Sequence, residues 1–166
     1  ADVVVVNADL VYAYSNLFPQ SGGVADYSRK LRQKDASCSS ISFYWSVSKK
    51  IPELGTHNIF LADDYKESFD AIFKDQSLPH DPSFYINVPS RIDPTAAPEG
   101  CDAVIALVPV GHLLRSRGAD ADADDVDPRL QEQDWARLVA KARETVLRTV
   151  SARTGCERLD GLITHE

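Results

Sequence analysis

Methionine is absent from the 166 residues, cysteine occurs three times, and no apolar run approaches the ~20 residues that cross a bilayer. Cys38, Cys101 and Cys156 lie far apart, are odd in number and lack CxxC spacing, which excludes a disulfide framework and a zinc site and reads as reduced, intracellular thiols. The chain opens Ala-Asp-Val-Val-Val-Val, without a charged n-region or initiating residue, so the reading favours an internal piece of a longer protein over a signal peptide or natural start. Basic residues are also scarce. Eighteen against 25 acidic residues give −7, and without a basic stripe interleaved with aromatics broad nucleic-acid binding is excluded. Phosphate loops are missing too: Ser21-Gly22-Gly23 is too short and precedes no Lys-Ser/Thr, and neither GxGxxG, HExxH nor GxSxG occurs.

What is present is strand and helix patterning on a 43% apolar chain, long enough for about one domain core. Val3 to Val6 reads as a buried strand of a parallel sheet meeting the polar turn Asn7-Ala8-Asp9. Leu10 to Phe18 reads as one or two helical turns stopped by Pro19, and Asp26 to Lys34 as an exposed helix. From Ser40 to Ser48 the period is two, with Ile41, Phe43, Trp45 and Val47 on one side and serines with Tyr44 on the other, which predicts an antiparallel strand. Asn58 to Leu61 gives a second strand. Asp63 or Asp64 N-caps a predicted helix through Lys74 with Tyr65, Phe69, Ile72 and Phe73 on one face.

Two further strands, Ser83 to Val88 and Ala103 to Val110, flank Pro89 to Gly100, where three prolines and a glycine set a rigid turn. A long helix is predicted from Asp134 to about Arg153 with Gly155 as its stop, and Leu162 to His165 reads as a final strand. The fold class predicted is α+β, one sheet covered by helices.

Few residues carry a chemical signal. Asp120, Asp122, Asp124, Asp125 and Asp127 alternate like a calcium loop, but the sixth position is Asp125 where glycine is needed and the twelfth is Gln131 where a bidentate Glu belongs. A solvated loop is the better reading. His57, His80, His112 and His165 sit in no catalytic motif, and the aromatic face of Phe43 and Trp45 with Phe84 fits either a core or an apolar pocket.

Five blocks, in order, carry a likeness: Val5-Val6-Asn7-Ala8-Asp9, Ser37 to Trp45, His57 to Leu61, Asn87 to Gly100 and Leu107 to Leu113. Together they resemble the carotenoid desaturase family, most of all its fungal phytoene desaturases, across essentially the whole chain. The resemblance implies a fragment of an FAD-dependent, amine-oxidase-like flavoprotein. Residues 1–18 would be the tail of an FAD-domain segment, 19–36 a linker with a surface helix, and 37–166 most of a substrate domain built on a mixed or antiparallel sheet.

It further implies successive desaturation of phytoene by FAD, with quinone or oxygen as electron acceptor, on a peripheral, monotopic membrane-associated enzyme. The family's flavin motifs flank these blocks and neither is in the chain, so the fragment alone is expected to be inactive. Asn7 and Asp9 would face the cofactor crevice. Phe43, Trp45, Phe84 and Ile86 would line the apolar substrate tunnel. No catalytic acid or base transfers to a numbered residue. A different flavin amine-oxidase-like oxidoreductase and a non-catalytic α+β interaction domain remain open alternatives.

Overall fold

The computed structural model describes residues 1–34, 37–112 and 134–166, which form two compact units, Ala1–Ser37 and Cys38–Glu166.

In the first unit, Asp9 begins the helical structure by accepting from the Tyr12 N–H at 2.8 Å, which satisfies one of the donors that every helix start leaves open. The one-turn helix α1 (Leu10–Tyr12) runs on as a π-turn, Ala13–Leu17, and stops before Pro19. Helix α2 spans Gly23–Arg32, three residues earlier at its start than the polar pattern suggests. Tyr14 joins the two helical stretches by packing its ring 4.8 Å from Tyr27, and the Ser15 and Ser28 hydroxyls share a 2.9 Å hydrogen bond.

Val3 to Val6 form no strand, and three of them are at least 75% exposed. A β-branched run favours extended backbone, but a strand exists only against a partner, and among the described residues none pairs with it.

Among the described residues the second unit holds one five-stranded sheet. Its strands are β1 (Ser39–Val47), β2 (His57–Phe60), β3 (Phe84–Asn87), β4 (Asp102–Val110) and β5 (Ile163–His165), in the order β2-β3-β4-β1-β5. Every pairing is antiparallel, so of the two sheet types the resemblance allows, the antiparallel one is present. β1 and β4 pair along their full lengths, from Ser39 against Val110 to Val47 against Asp102. That register places Ile41, Phe43, Trp45 and Val47 on the same face as Val104, Ala106, Val108 and Val110, and all eight are buried.

Helix α4 (Trp135–Thr154) covers this inner face with Ala142, Val146, Leu147 and Val150. Its ends fall where the sequence places them: Asp134 accepts from the Arg137 N–H at 3.0 Å, and Gly155 closes it at φ 75°, a left-handed conformation that suits glycine. Removing a Leu or Val of this kind from water stabilises the fold by ~1.5–3 kcal/mol, so the layer of α4 on the sheet is the main source of order here.

Helix α3 (Tyr65–Phe73), capped by Asp64, lies between β2 and β3 in the chain and buries only Ser68 and Ile72. The turn after it is locked to the end of β4. Gly111 donates to the Ser77 carbonyl at 3.1 Å, and a Cβ at Gly111 would stand 2.2 Å from the Gln76 carbonyl carbon, so only glycine fits this approach.

Candidate functional site

The residues singled out from sequence fall in two separate places. Asn7 and Asp9 lie in the first unit, where Asn7 is exposed and the Asp9 carboxylate is taken up as the cap of α1. Among the described residues Val3 to Val6 pair with no strand, so the strand end expected before Asn7 is not formed there. The Asp9 carboxylate thus serves as the cap of α1.

Phe43, Trp45, Phe84 and Ile86 do come together, on the inner face under α4, and none is more than 5% exposed. Phe43 stacks on Trp45 with centroids 5.3 Å apart, and Phe84 stacks on Phe60 at 4.7 Å. These rings are satisfied by one another and by the aliphatic side chains of α4, as core residues are. The Trp45 Nε1–H is buried without an acceptor at hydrogen-bonding geometry, although Glu166 is near enough to feel it. Burial pushes the Glu166 carboxyl up. The Trp45 indole and Arg143, whose Nε lies 2.8 Å from Oε2, outweigh that and hold it below the ordinary range.

The opposite face of the sheet carries exposed and half-buried side chains, and its register brings together apolar residues that no single strand displays. One row runs Ile59, Tyr85, Leu107, Ser42, and the next His57, Asn87, Ile105, Tyr44. Ile59 is 73% exposed, Tyr44 66% and Leu107 38%. At the β2 end of this surface His57 Nδ1 lies 2.6 Å from the Tyr85 hydroxyl, and Asn87 Nδ2 donates to the Thr56 carbonyl at 2.9 Å. Ile105 and Leu107 on β4 can bury hydrocarbon, with the hydroxyls of Ser42 and Tyr44 beside them on β1.

At the start of β4 the loops beside the sheet are held by an ion pair that the sequence reading missed, with Asp102 buried. Arg91 grips Asp102 with two parallel contacts, Nη1 to Oδ1 at 2.5 Å and Nη2 to Oδ2 at 2.8 Å, and also donates to the Ile51 and Leu54 carbonyls at 2.6 and 3.1 Å. Asp102 further accepts from the Ile51 N–H at 2.7 Å and the Ser90 hydroxyl at 2.8 Å. One carboxylate thus ties the turn after β1, the loop after β3 and the start of β4 together. Burial pushes the Asp102 carboxyl up, but its bonds to Arg91, the Ile51 N–H and Ser90 hold it below the usual carboxylate range.

A signal for the pair was present. Counting back by two from Val108 and Val104 makes position 102 inward-facing, and an inward Asp requires a cation beside it.

The remaining sequence candidates contribute little. His80 and His165 are exposed, and His112 is held by its backbone N–H, which donates to Gln76 Oε1 at 3.0 Å. The aspartates from Asp120 to Asp127 lie outside the described residues. Among the described residues no cluster of three metal-ligating side chains occurs, and no helix is long and apolar enough to cross a membrane.

The whole chain aligns at 61% identity with a phytoene desaturase of Neurospora crassa, over 167 residues, and at 48% with a phytoene desaturase of Cercospora nicotianae, over 185. A zeta-carotene-forming phytoene desaturase of Myxococcus xanthus is 40% identical over 83% of the chain. No protein-family model matches. The chain spans 26% and 29% of the two fungal proteins and 25% of the bacterial one. The likeness carried by the five blocks therefore extends through the entire chain.

Proposed function

We propose that this stretch, a relative of the carotenoid desaturases over its full length, serves in an enzyme that introduces C=C bonds into phytoene or a similar carotenoid hydrocarbon, and that Cys38–Glu166 supplies a wall of the substrate tunnel. The observation that carries the reading is the open sheet face. A polyene has no hydrogen-bonding group, so it is held only by removing apolar surface from water, and Tyr44, Ile59, Ile105 and Leu107 present such surface on a rigid scaffold. In this reading Phe43, Trp45, Phe84 and Ile86, all buried in the core cluster, support that wall from behind and do not line it.

Residues 1–18 are assigned to an FAD-domain segment, 19–36 to a linker and 37–166 to the substrate domain. FAD would supply hydride acceptance when bound, with quinone or oxygen as the final acceptor.

In a polypeptide of the relatives' length, Leu107→Asp should lower phytoene conversion roughly 10- to 100-fold, because a charge replaces one apolar contact worth ~1.5–3 kcal/mol. The side chain is 38% exposed, so the thermal midpoint should move by no more than ~2 °C. Carotenoid analysis by chromatography decides it, and unchanged conversion at full expression would overturn the reading.

Attachment to a membrane surface belongs to the same proposal. Tyr65, Phe69 and Phe73 form an exposed stripe at helical spacing on α3, their rings 5.1 and 4.6 Å apart in succession. With a formal charge of −7 such attachment rests on apolar insertion and not on anionic lipid. Phe69→Ser should cut co-sedimentation with neutral liposomes several-fold, and an unaltered bound fraction would remove α3 from that role.

A further inference from the structure

In the first unit one cluster of side chains holds more hydrogen-bond donors than acceptors. Ser15 sits in the middle of the π-turn Ala13–Leu17; its hydroxyl meets that of Ser28 on α2 at 2.9 Å, and Arg32 Nε donates to Ser15 Oγ at 3.3 Å. Ser28 is 5% exposed, and among the described residues Ser15 Oγ is the one acceptor within its reach. The Ser28 hydroxyl therefore donates to Ser15. Ser15 Oγ then accepts from both Ser28 and Arg32, which leaves its own O–H, together with Arg32 Nη1 and Nη2, without an acceptor among the described residues.

The carboxylates nearby in sequence are committed elsewhere: Asp26 pairs with Arg29, and Asp9 caps α1. Arg29, Lys30, Arg32 and Lys34 crowd together in a chain whose formal charge is −7, so this end of α2 is locally positive. A π-turn is rare in helices and frequent at functional positions, and here it carries Ser15 across to α2.

We propose that Ser15 and Arg32, backed by Ser28, form a seat for a phosphoryl group. Arg32 Nε is spent on Ser15, so the end-on pair Nη1 and Nη2 remains to fork two anionic oxygens, and the Ser15 O–H calls for another. A carboxylate runs out of oxygens at the fork, whereas a phosphoryl group has one more to offer. Arg32 is exposed and Ser15 half-buried, so the seat is reached from solvent. The ligand is a phosphate ester, carried by a lipid headgroup or by a soluble molecule. This rests on side chains within Ala1–Ser37 and not on what the relatives act on, so it and the desaturase reading fail independently.

Calorimetric titration of a polypeptide of the relatives' length with inorganic phosphate, and with acetate beside it, tests the seat. The parent should bind phosphate at least roughly 10-fold more tightly than acetate, and Arg32→Gln should weaken phosphate binding by about 10-fold or more. Arg32→Lys keeps the charge without the fork and should fall between the two. Ser15→Ala should weaken it several-fold. Arg32 is exposed, so its variants should keep their thermal midpoint within ~2 °C and the loss is one of binding. Phosphate affinity unchanged in Arg32→Gln, or equal affinity of the parent for phosphate and acetate, overturns the proposal.

Co-sedimentation with phosphatidylcholine vesicles, with and without phosphatidic acid, identifies the source once the titration has shown the seat. Extra binding to the phosphatidic acid vesicles that Arg32→Gln abolishes makes the ligand a lipid headgroup. Extra binding that is absent, or indifferent to Arg32→Gln, makes it a soluble phosphate ester.

Discussion

Replacing Trp45 by alanine should cost ~3–5 kcal/mol of stability and lower the thermal midpoint by roughly 10–20 °C, as for a large side chain removed from a closed core. Trp45 is 2% exposed, stacked on Phe43 and part of the layer beneath α4. Its Nε1–H, buried without an acceptor of good geometry, offsets part of the ring's contribution, so Trp45→Phe should cost distinctly less than Trp45→Ala. Whatever enzyme of the relatives' length still folds with Trp45→Ala should give an unaltered distribution of carotenoid products. Thermal unfolding measured beside product chromatography separates the possibilities: a midpoint within a few degrees of the parent together with a changed product pattern would return Trp45 to the tunnel.

The second large effect is at Asp102. Asp102→Ala leaves the Arg91 guanidinium half-buried without its carboxylate and strips the Ile51 N–H and Ser90 hydroxyl of their acceptor, which should cost ~3–5 kcal/mol. Pairing it with Arg91→Leu, which removes the stranded charge, should recover part of that loss.

The pH dependence has a definite sign. The folded-state carboxyl lies below its unfolded value of about 3.9, so its contribution is complete above about pH 4 and disappears as pH falls through the lower, folded value. The parent should therefore lose stability on acidification from pH 4 downward more steeply than Asp102→Ala does. Parallel midpoint curves for the two proteins between pH 6 and 2.5 would show that the pair contributes nothing.

How much of this was legible depends on the range of the interaction that decides each feature. The period of two from Ser40 to Ser48 and the cap residues Asp134 and Gly155 are local, and the structure reproduces both the buried face of β1 and the ends of α4. In α3 the pattern places Tyr65, Phe69, Ile72 and Phe73 on one face, and of these only Ile72 is buried while Tyr65, Phe69 and Phe73 stay exposed. Periodicity locates an apolar stripe but does not supply a surface to bury it.

Val3 to Val6 fail as a strand for the same kind of reason, since propensity without a partner leaves the backbone unpaired. The sequence reading chose the largest aromatics, Phe43, Trp45 and Phe84, as lining, and the structure buries them in the core cluster. Those side chains stabilise most when packed internally, and the open face of Ile59, Tyr85, Leu107, Ile105 and Tyr44 exists only once strands distant in the chain are placed in register.

A structure of the relatives-length enzyme with a carotenoid hydrocarbon bound tests the central claim, that one face of the sheet holds the fold and the other meets the substrate. Hydrocarbon atoms should lie within ~4 Å of Leu107, Ile105 and Tyr44 and make no contact with Phe43 or Trp45. A hydrocarbon lodged between the sheet and α4, touching Trp45 and Phe84, would contradict it.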